Sequence, residues 1–174
     1  MQEIEPKIAA SFNAADALEA PSRPVVTKDA SPAEKIQLFR SLFRGREDVY
    51  PRRFENRRTG KSGYAPACAN EWVQGVCDKP RIKCSDCPNR RFFPVTAETV
   101  GWHLSGRDAL RRDFVMGLYA MLVDETCFFL AVDFDGDDWQ RDAGAFRETC
   151  RRLDVPVALE RSRSGNGAHV WFFF

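Results

Sequence analysis

The residues of this chain with the strongest chemical character are two carboxylates at the end of an apolar run, Phe128-Phe129-Leu130-Ala131-Val132-Asp133-Phe134-Asp135-Gly136. In an extended strand, positions two apart share a face and lie about 6.6 Å apart along the chain. Asp133 and Asp135 are therefore expected to project together while Val132 and Phe134 point into a core. Bare carboxylates that close repel by several kcal/mol at an effective dielectric of about 20, and a divalent cation relieves the repulsion. Paired metals in phosphoryl-transfer sites sit about 3.5–4 Å apart, a spacing that same-face carboxylates can bridge. The competing reading is a strand leaving the core into a solvated acidic turn, with Asp137 or Asp138 capping the next helix.

A second stretch weighs against that bland reading. Ser162-Arg163-Ser164-Gly165-Asn166-Gly167 precedes Ala168-His169-Val170-Trp171, a turn whose glycines permit close approach and whose backbone N–H groups can face a phosphate. Strand alternation from Ala168 puts His169, Trp171 and Phe173 on one face, so His169 stands at the mouth of an anion cradle. Asp133 and Asp135 with a phosphate loop and a histidine read as a metal-dependent nucleotide site.

Cys68, Cys77, Cys84 and Cys87 follow a C-x8-C-x6-C-x2-C pattern. Four thiolates in so short a polar segment point to a structural tetrahedral Zn²⁺ site, with an iron–sulfur cluster as the alternative. The segment is too polar to build a core of its own, and zinc supplies on the order of 10–16 kcal/mol to small peptides of this kind. Cys127 and Cys150 are expected on apolar faces of a strand and a helix, as core thiols.

With 174 residues, 44% of them hydrophobic, the chain can bury one sizeable core with a small subdomain attached. No apolar run reaches the roughly 20 residues that cross a bilayer, and the N-terminus lacks a signal-peptide pattern. A cytoplasmic protein without a membrane partner is expected, and its cysteines are then ligands or buried thiols and not disulfides. The net charge of +1 is unevenly spread. From Arg40 to Lys61, eight basic residues face three acidic ones, a local balance of +5. Arg52, Arg53, Arg57, Arg58 and Lys61 are the candidates for contact with a polyanion. Gly60-Lys61-Ser62 echoes a phosphate-binding loop, but the glycine that motif requires six residues before the lysine is Glu55 here.

Several elements must position these groups. Residues 1–30 mix Ala, Pro and scattered charges without a period and read as a disordered tail, with a transient helix around Ala14 to Ala20. The domain, residues 31–174, opens on Ser31-Pro32-Ala33-Glu34, a capping box with proline at the first helical position. Ile36, Phe39 and Phe43 follow at helical spacing, and Gly45 stands where a C-terminal cap belongs. A basic loop or hairpin over Tyr50 to Tyr64 leads into the zinc module, residues 64–92. Thr96 caps a short helix through Trp102. Phe114 to Val123 reads as a strand that pairs, through the turn at Asp124-Glu125-Thr126, with the strand carrying Asp133. A helix from about Asp138 to Leu153 presents Trp139, Ala143, Phe146, Cys150 and Leu153 on one stripe. Val155 to Arg161 and Ala168 to Phe174 complete a β-β-α-β-β order, an α+β sandwich with one sheet face left for ligands.

The Asp-Phe-Asp at a strand end, followed after a helix by a Gly-rich turn and His169 on a strand, resembles motifs I and II of the archaeo-eukaryotic primase superfamily. Four blocks are similar to the primase domain of TOTE conflict systems: Gly45 to Tyr50, Thr59 to Tyr64, the cysteine cluster with Cys87-Pro88-Asn89-Arg90-Arg91, and Leu159 to Trp171. The resemblance covers about Ser31 to Phe174. It implies an RRM-like catalytic core, an antiparallel sheet with helices on one face, carrying a small zinc-binding insertion. It implies a DNA primase-polymerase that holds catalytic Mg²⁺ or Mn²⁺ on Asp133 and Asp135. The incoming nucleoside triphosphate would lie against Arg163, Ser164, Gly165, Asn166, Gly167 and His169. A nucleic acid template, expected to be DNA, and a helicase and nuclease in the same protein or operon are the implied partners, in defence against mobile DNA. The chain stops inside the motif II strand, so the family's third acidic motif is expected beyond it, and these 174 residues alone are expected to polymerise poorly or not at all.

Other readings are weaker. A haloacid-dehalogenase-type phosphatase also places Asp-x-Asp-Gly after an apolar strand, but near the start of its domain and followed by Thr or Val, where Asp137 stands here. An EF-hand loop fails at Asp138 and Gly144. A non-catalytic zinc and nucleic-acid-binding fragment is the main alternative.

Overall fold

The computed structural model describes residues 25–56 and 58–174. The expected helix around Ala14 to Ala20, most of the expected tail, and Arg57 lie outside the described residues. The α+β architecture is as expected: among the described residues there are three helices and two small antiparallel sheets. No described helix is long and apolar enough to cross a membrane.

Helix α1 (Pro32–Leu42) begins as its sequence dictates, with the Ser31 and Glu34 side chains capping one another's backbone. Helix α2 (Ala97–Ser105) is started by Thr96 and Thr99 in the same reciprocal way and ended by Gly106 in the left-handed conformation, φ 73°. The two helices pack together over a core of Tyr50, Ala67, Val100, Phe114 and Met116, joined by Ile36, Phe39, Val95, Trp102 and Leu118. Gly45 is not the helix cap: Phe43 takes that place. A Cβ on Gly45 would lie 2.5 Å from the Tyr119 carbonyl, and the neighbouring Arg46 N–H donates to that oxygen at 2.9 Å. The glycine is there to let two backbones touch.

The basic region forms a hairpin of β1 (Pro51–Glu55) and β2 (Ser62–Pro66). The expected strand at Phe114 to Val123 is not formed, and neither is the hairpin that would have delivered the carboxylates. That segment runs along β1 with isolated bonds, Arg53 N–H to the Val115 carbonyl and Gly117 N–H to the Pro51 carbonyl. Its buried Phe114 and Met116 pull it into the helical core, away from the sheet that carries Asp133.

That second sheet has the order β3-β5-β4, all antiparallel, with β3 (Phe129–Phe134), β4 (Ala158–Arg161) and β5 (Ala168–Phe173). Helix α3 (Trp139–Arg152) covers one face. Ala168 and Val170 are fully buried, and Ala143 and Cys150 of the helix are nearly so. Phe146 meets Phe134 and Phe172 at centroid distances of 5.5 and 6.1 Å, each pair contributing about 0.5–1.5 kcal/mol beyond burial. Two expected core residues stand outside: Leu153 lies past the helix end at 70% exposure, and Cys127 precedes β3 and is exposed.

Candidate functional site

The register of β5 against its two neighbours builds the site. His169 lies opposite Asp133 of β3 on one side and opposite Glu160 of β4 on the other. Because Ala168 and Val170 face α3, the intervening His169 and Trp171 face away from it, and the cross-strand partners Asp133 and Glu160 share that outer face. Asp133, His169 and Glu160 thus form one polar row across three strands. One row along, Trp171 is flanked by Ala131 and Ala158. The next row, Phe129 and Phe173, is capped by Phe43 from the end of α1, whose ring makes edge contacts at 5.7 and 5.4 Å, and 5.0 Å to Trp171. The outer face is therefore aromatic and covered at one end, polar and open at the other.

In the row, His169 Nε2 is 3.5 Å from Asp133 Oδ1, and Nδ1 is 3.4 Å from Glu160 Oε2. Trp171 Nε1–H donates to the same Glu160 oxygen at 2.7 Å. The Asp133 side chain is 62% exposed, the imidazole 32%. Glu160 was missed from the sequence. It was findable there, because a tight hairpin through Ser162 to Gly167 places positions 160 and 169 opposite one another.

Asp135 lies one residue beyond β3, outside the strand whose alternation was expected to place it beside Asp133. It is set against the glycine loop: a Cβ on Gly167 would lie 2.9 Å from Asp135 Oδ1, 2.7 Å from the Phe134 carbonyl and 3.2 Å from Ser162 Oγ. Asp133, opposite His169, and Asp135, beside Gly167, therefore both lie against the start of β5. Gly136, at φ 87°, turns the chain from β3 toward α3.

The loop is internally braced. Ser162 N–H donates to the Gly167 carbonyl and Gly165 N–H to the Ser162 carbonyl, at 2.8 and 2.9 Å. Asn166 N–H is turned to Ser164 Oγ. The Arg161 guanidinium clasps the Gly165 carbonyl with two bonds, at 3.0 and 2.9 Å. The Gly165 and Asn166 N–H groups, expected to be offered to a phosphate, are thus used within the loop. Arg163, Ser164 and Asn166 are exposed at its tip.

The four clustered cysteines line one small pocket together with Lys79 and Asn89. The surrounding residues are held by turns, by Asn70 and Asn89 side chains bonded to backbone carbonyls, and by Arg91 N–H donating to Cys68 Sγ at 3.3 Å. Donor type and number suit zinc. Among the described residues, however, no group of three or more His, Cys, Asp or Glu side chains is gathered closely enough to hold a metal ion, so the structure does not demonstrate the zinc insertion. Burial disfavours the Lys79 ammonium, yet Glu71 at 2.7 Å and the neighbouring Cys84 sulfur hold its pKa above the ordinary value.

The basic residues separate by role. Arg52 lies 3.7 Å from buried Asp108 and over the Phe114 ring, and Arg53 pairs with Glu55. Arg58 and Lys61 are exposed on the turn. Residues 34–174 match the family model of the TOTE conflict system, Archaeo-Eukaryotic Primase domain. Neither a curated protein nor a solved structure matches the chain.

Proposed function

The chain belongs to the TOTE conflict system archaeo-eukaryotic primase family, and from that premise we propose that the open end of its three-stranded sheet is the nucleotidyl-transfer site of a template-directed DNA primase-polymerase acting in defence against mobile DNA. The observation that carries this reading is the convergence of Asp133, His169 and the Asp135–Gly167 contact at one end of the sheet.

Phosphoryl transfer asks little covalent chemistry of a protein and much positioning of charge. Asp133, largely exposed, and Asp135 would hold Mg²⁺ or Mn²⁺, which supplies charge neutralisation on the triphosphate and the departing pyrophosphate. His169 Nε2, facing the Asp133 side of the row, would contact the triphosphate as a hydrogen-bond donor and not as a base. The exposed Arg163, Ser164 and Asn166 would meet the same phosphates, with Gly165 and Gly167 shaping the loop that carries them. The hairpin with Arg58 and Lys61 would track the DNA template, and Zn²⁺ at Cys68, Cys77, Cys84 and Cys87 would hold the adjoining module. A helicase and a nuclease in the same protein or operon are the proposed working partners.

The test is template-directed extension by the full-length protein. Asp133→Asn or Asp135→Asn is expected to abolish metal-dependent synthesis, while His169→Ala mainly raises KM for the nucleoside triphosphate. Extension by the Asp133→Asn protein at the wild-type rate would place the polymerase site elsewhere.

A further inference from the structure

The buried side-chain polar atom left without a hydrogen-bond partner, among the described residues, is His169 Nδ1. It sits 3.4 Å from Glu160 Oε2, within hydrogen-bonding distance but out of alignment, so a modest rotation of either side chain would satisfy it. Glu160 is not free to wander: the indole N–H of Trp171, two residues along β5 on the same face, holds the same oxygen at 2.7 Å. Ala158, beside Trp171 on β4, is too small to obstruct that approach.

The two carboxylates flanking His169 are thus unequal. Asp133, on the Nε2 side, is 62% exposed and meets the ring only at 3.5 Å. Glu160, on the Nδ1 side, is anchored. Resting on the nucleotide-site reading above, we propose that Glu160 is the positioning residue for His169: held by Trp171, it bonds Nδ1 and fixes the imidazole, so that Nε2 stays aimed at the incoming triphosphate when Asp133 turns to other partners. Histidine χ2 has broad, shallow preferences, so an unanchored ring would present Nε2 in only part of its range.

Extension by the full-length protein, with ATP and dATP as probes, separates this role from a structural one. Glu160→Ala should raise KM on the order of tenfold, by analogy with the low end of the loss when the group orienting a metal-ligating histidine is removed, with kcat little changed and Kd for the nucleotide weakened in parallel. Glu160→Gln, which keeps an acceptor for both N–H groups, should restore most of the affinity. The Glu160→Ala/His169→Ala double variant should be no worse than His169→Ala alone, since the two act as one unit. The Trp171 indole proton resonance, assigned with Trp171→Phe, should shift in Glu160→Ala without any nucleotide present. A Glu160→Ala protein with unchanged KM beside a His169→Ala protein with raised KM overturns the positioning role alone, as does a double variant whose losses multiply. A His169→Ala protein with unchanged KM overturns the phosphate contact itself and the positioning role with it.

Discussion

A Cβ placed on Gly167 would lie 2.9 Å from Asp135 Oδ1 and 2.7 Å from the carbonyl oxygen of Phe134. The glycine therefore permits the end of β3 and the start of β5 to meet, and Asp135 takes its position from that meeting. Phe134 and Gly167 cannot both stay in place once a methyl group is added, because a backbone oxygen cannot rotate away as a side chain can.

Gly167→Ala is accordingly expected to cost about 1–3 kcal/mol of stability, as overpacking does. Nucleotide addition should fall further, on the order of 100-fold, because a displacement of about 1 Å at a reacting centre has that effect. Gly144→Ala is the control: nothing lies within 4 Å of its Cβ, and in the middle of α3 the exchange should stabilise by about 0.5–1 kcal/mol. Denaturant unfolding and an extension assay read the two effects separately, and equal behaviour of both variants would contradict the close-approach argument.

The cysteine module gives a second expectation. The four thiols share a pocket without ligating geometry, a state that metal uptake would tighten. Purified protein should carry about one zinc per chain, the stoichiometry of a four-thiolate site. Cys84→Ser should lose it, whereas Cys150→Ser, on the buried face of α3, and Cys127→Ser, exposed before β3, should keep it. Equal metal loss from Cys84→Ser and Cys150→Ser would remove the assignment.

Local signals survived folding where they were complete within a few residues. The capping box at Ser31 and the N-cap at Thr96 formed as written, because a cap is closed by groups three positions apart. The β5 face also came out as alternation demanded. What failed depended on distant partners. Phe114 to Val123 has a strand-like composition, but its partner is β1, through scattered bonds, since Phe114 and Met116 are wanted by the helical core. Glu160 was overlooked because a lone glutamate on a strand is ordinary until its register with His169 is counted.

Acid should loosen the α1–α2 core before the rest. His103 is pushed below its ordinary pKa by burial, and its Nδ1 accepts from Met116 N–H at 3.4 Å, a bond open only to the neutral ring. A depressed folded pKa means stability present above the unfolded value, about 6.5, and lost as pH falls through the folded one. Asp108 acts in the same direction at lower pH, its carboxyl held below the usual range chiefly by Arg112, with backbone N–H bonds from Arg112 and Leu110. Its contribution is present above about 3.9 and lost below. Thermal unfolding across this range should show stability falling in two stages. His103→Gln should flatten the upper stage, and a fall in stability between neutral and mildly acidic pH as steep as that of the wild type would contradict the role given to His103.

The arginines should divide by what they touch. Arg58 and Lys61 stand exposed on the β1–β2 turn, so replacing either with alanine should weaken binding to single-stranded DNA and lower the salt slope by roughly 0.7 per lost phosphate contact, leaving thermal stability unchanged. Arg52 lies 3.7 Å from Asp108, a residue 7% exposed, and over the buried Phe114 ring. Arg52→Ala should therefore lower Tm, because it removes a cation from beside a buried carboxylate and uncovers an aromatic core, while the salt slope stays close to that of the wild type. Titration of each variant with oligo-dT at several salt concentrations, alongside thermal unfolding, measures both quantities. If Arg52→Ala flattened the salt slope as much as Arg58→Ala without moving Tm, its guanidinium would be a phosphate contact and the ion pair with Asp108 incidental.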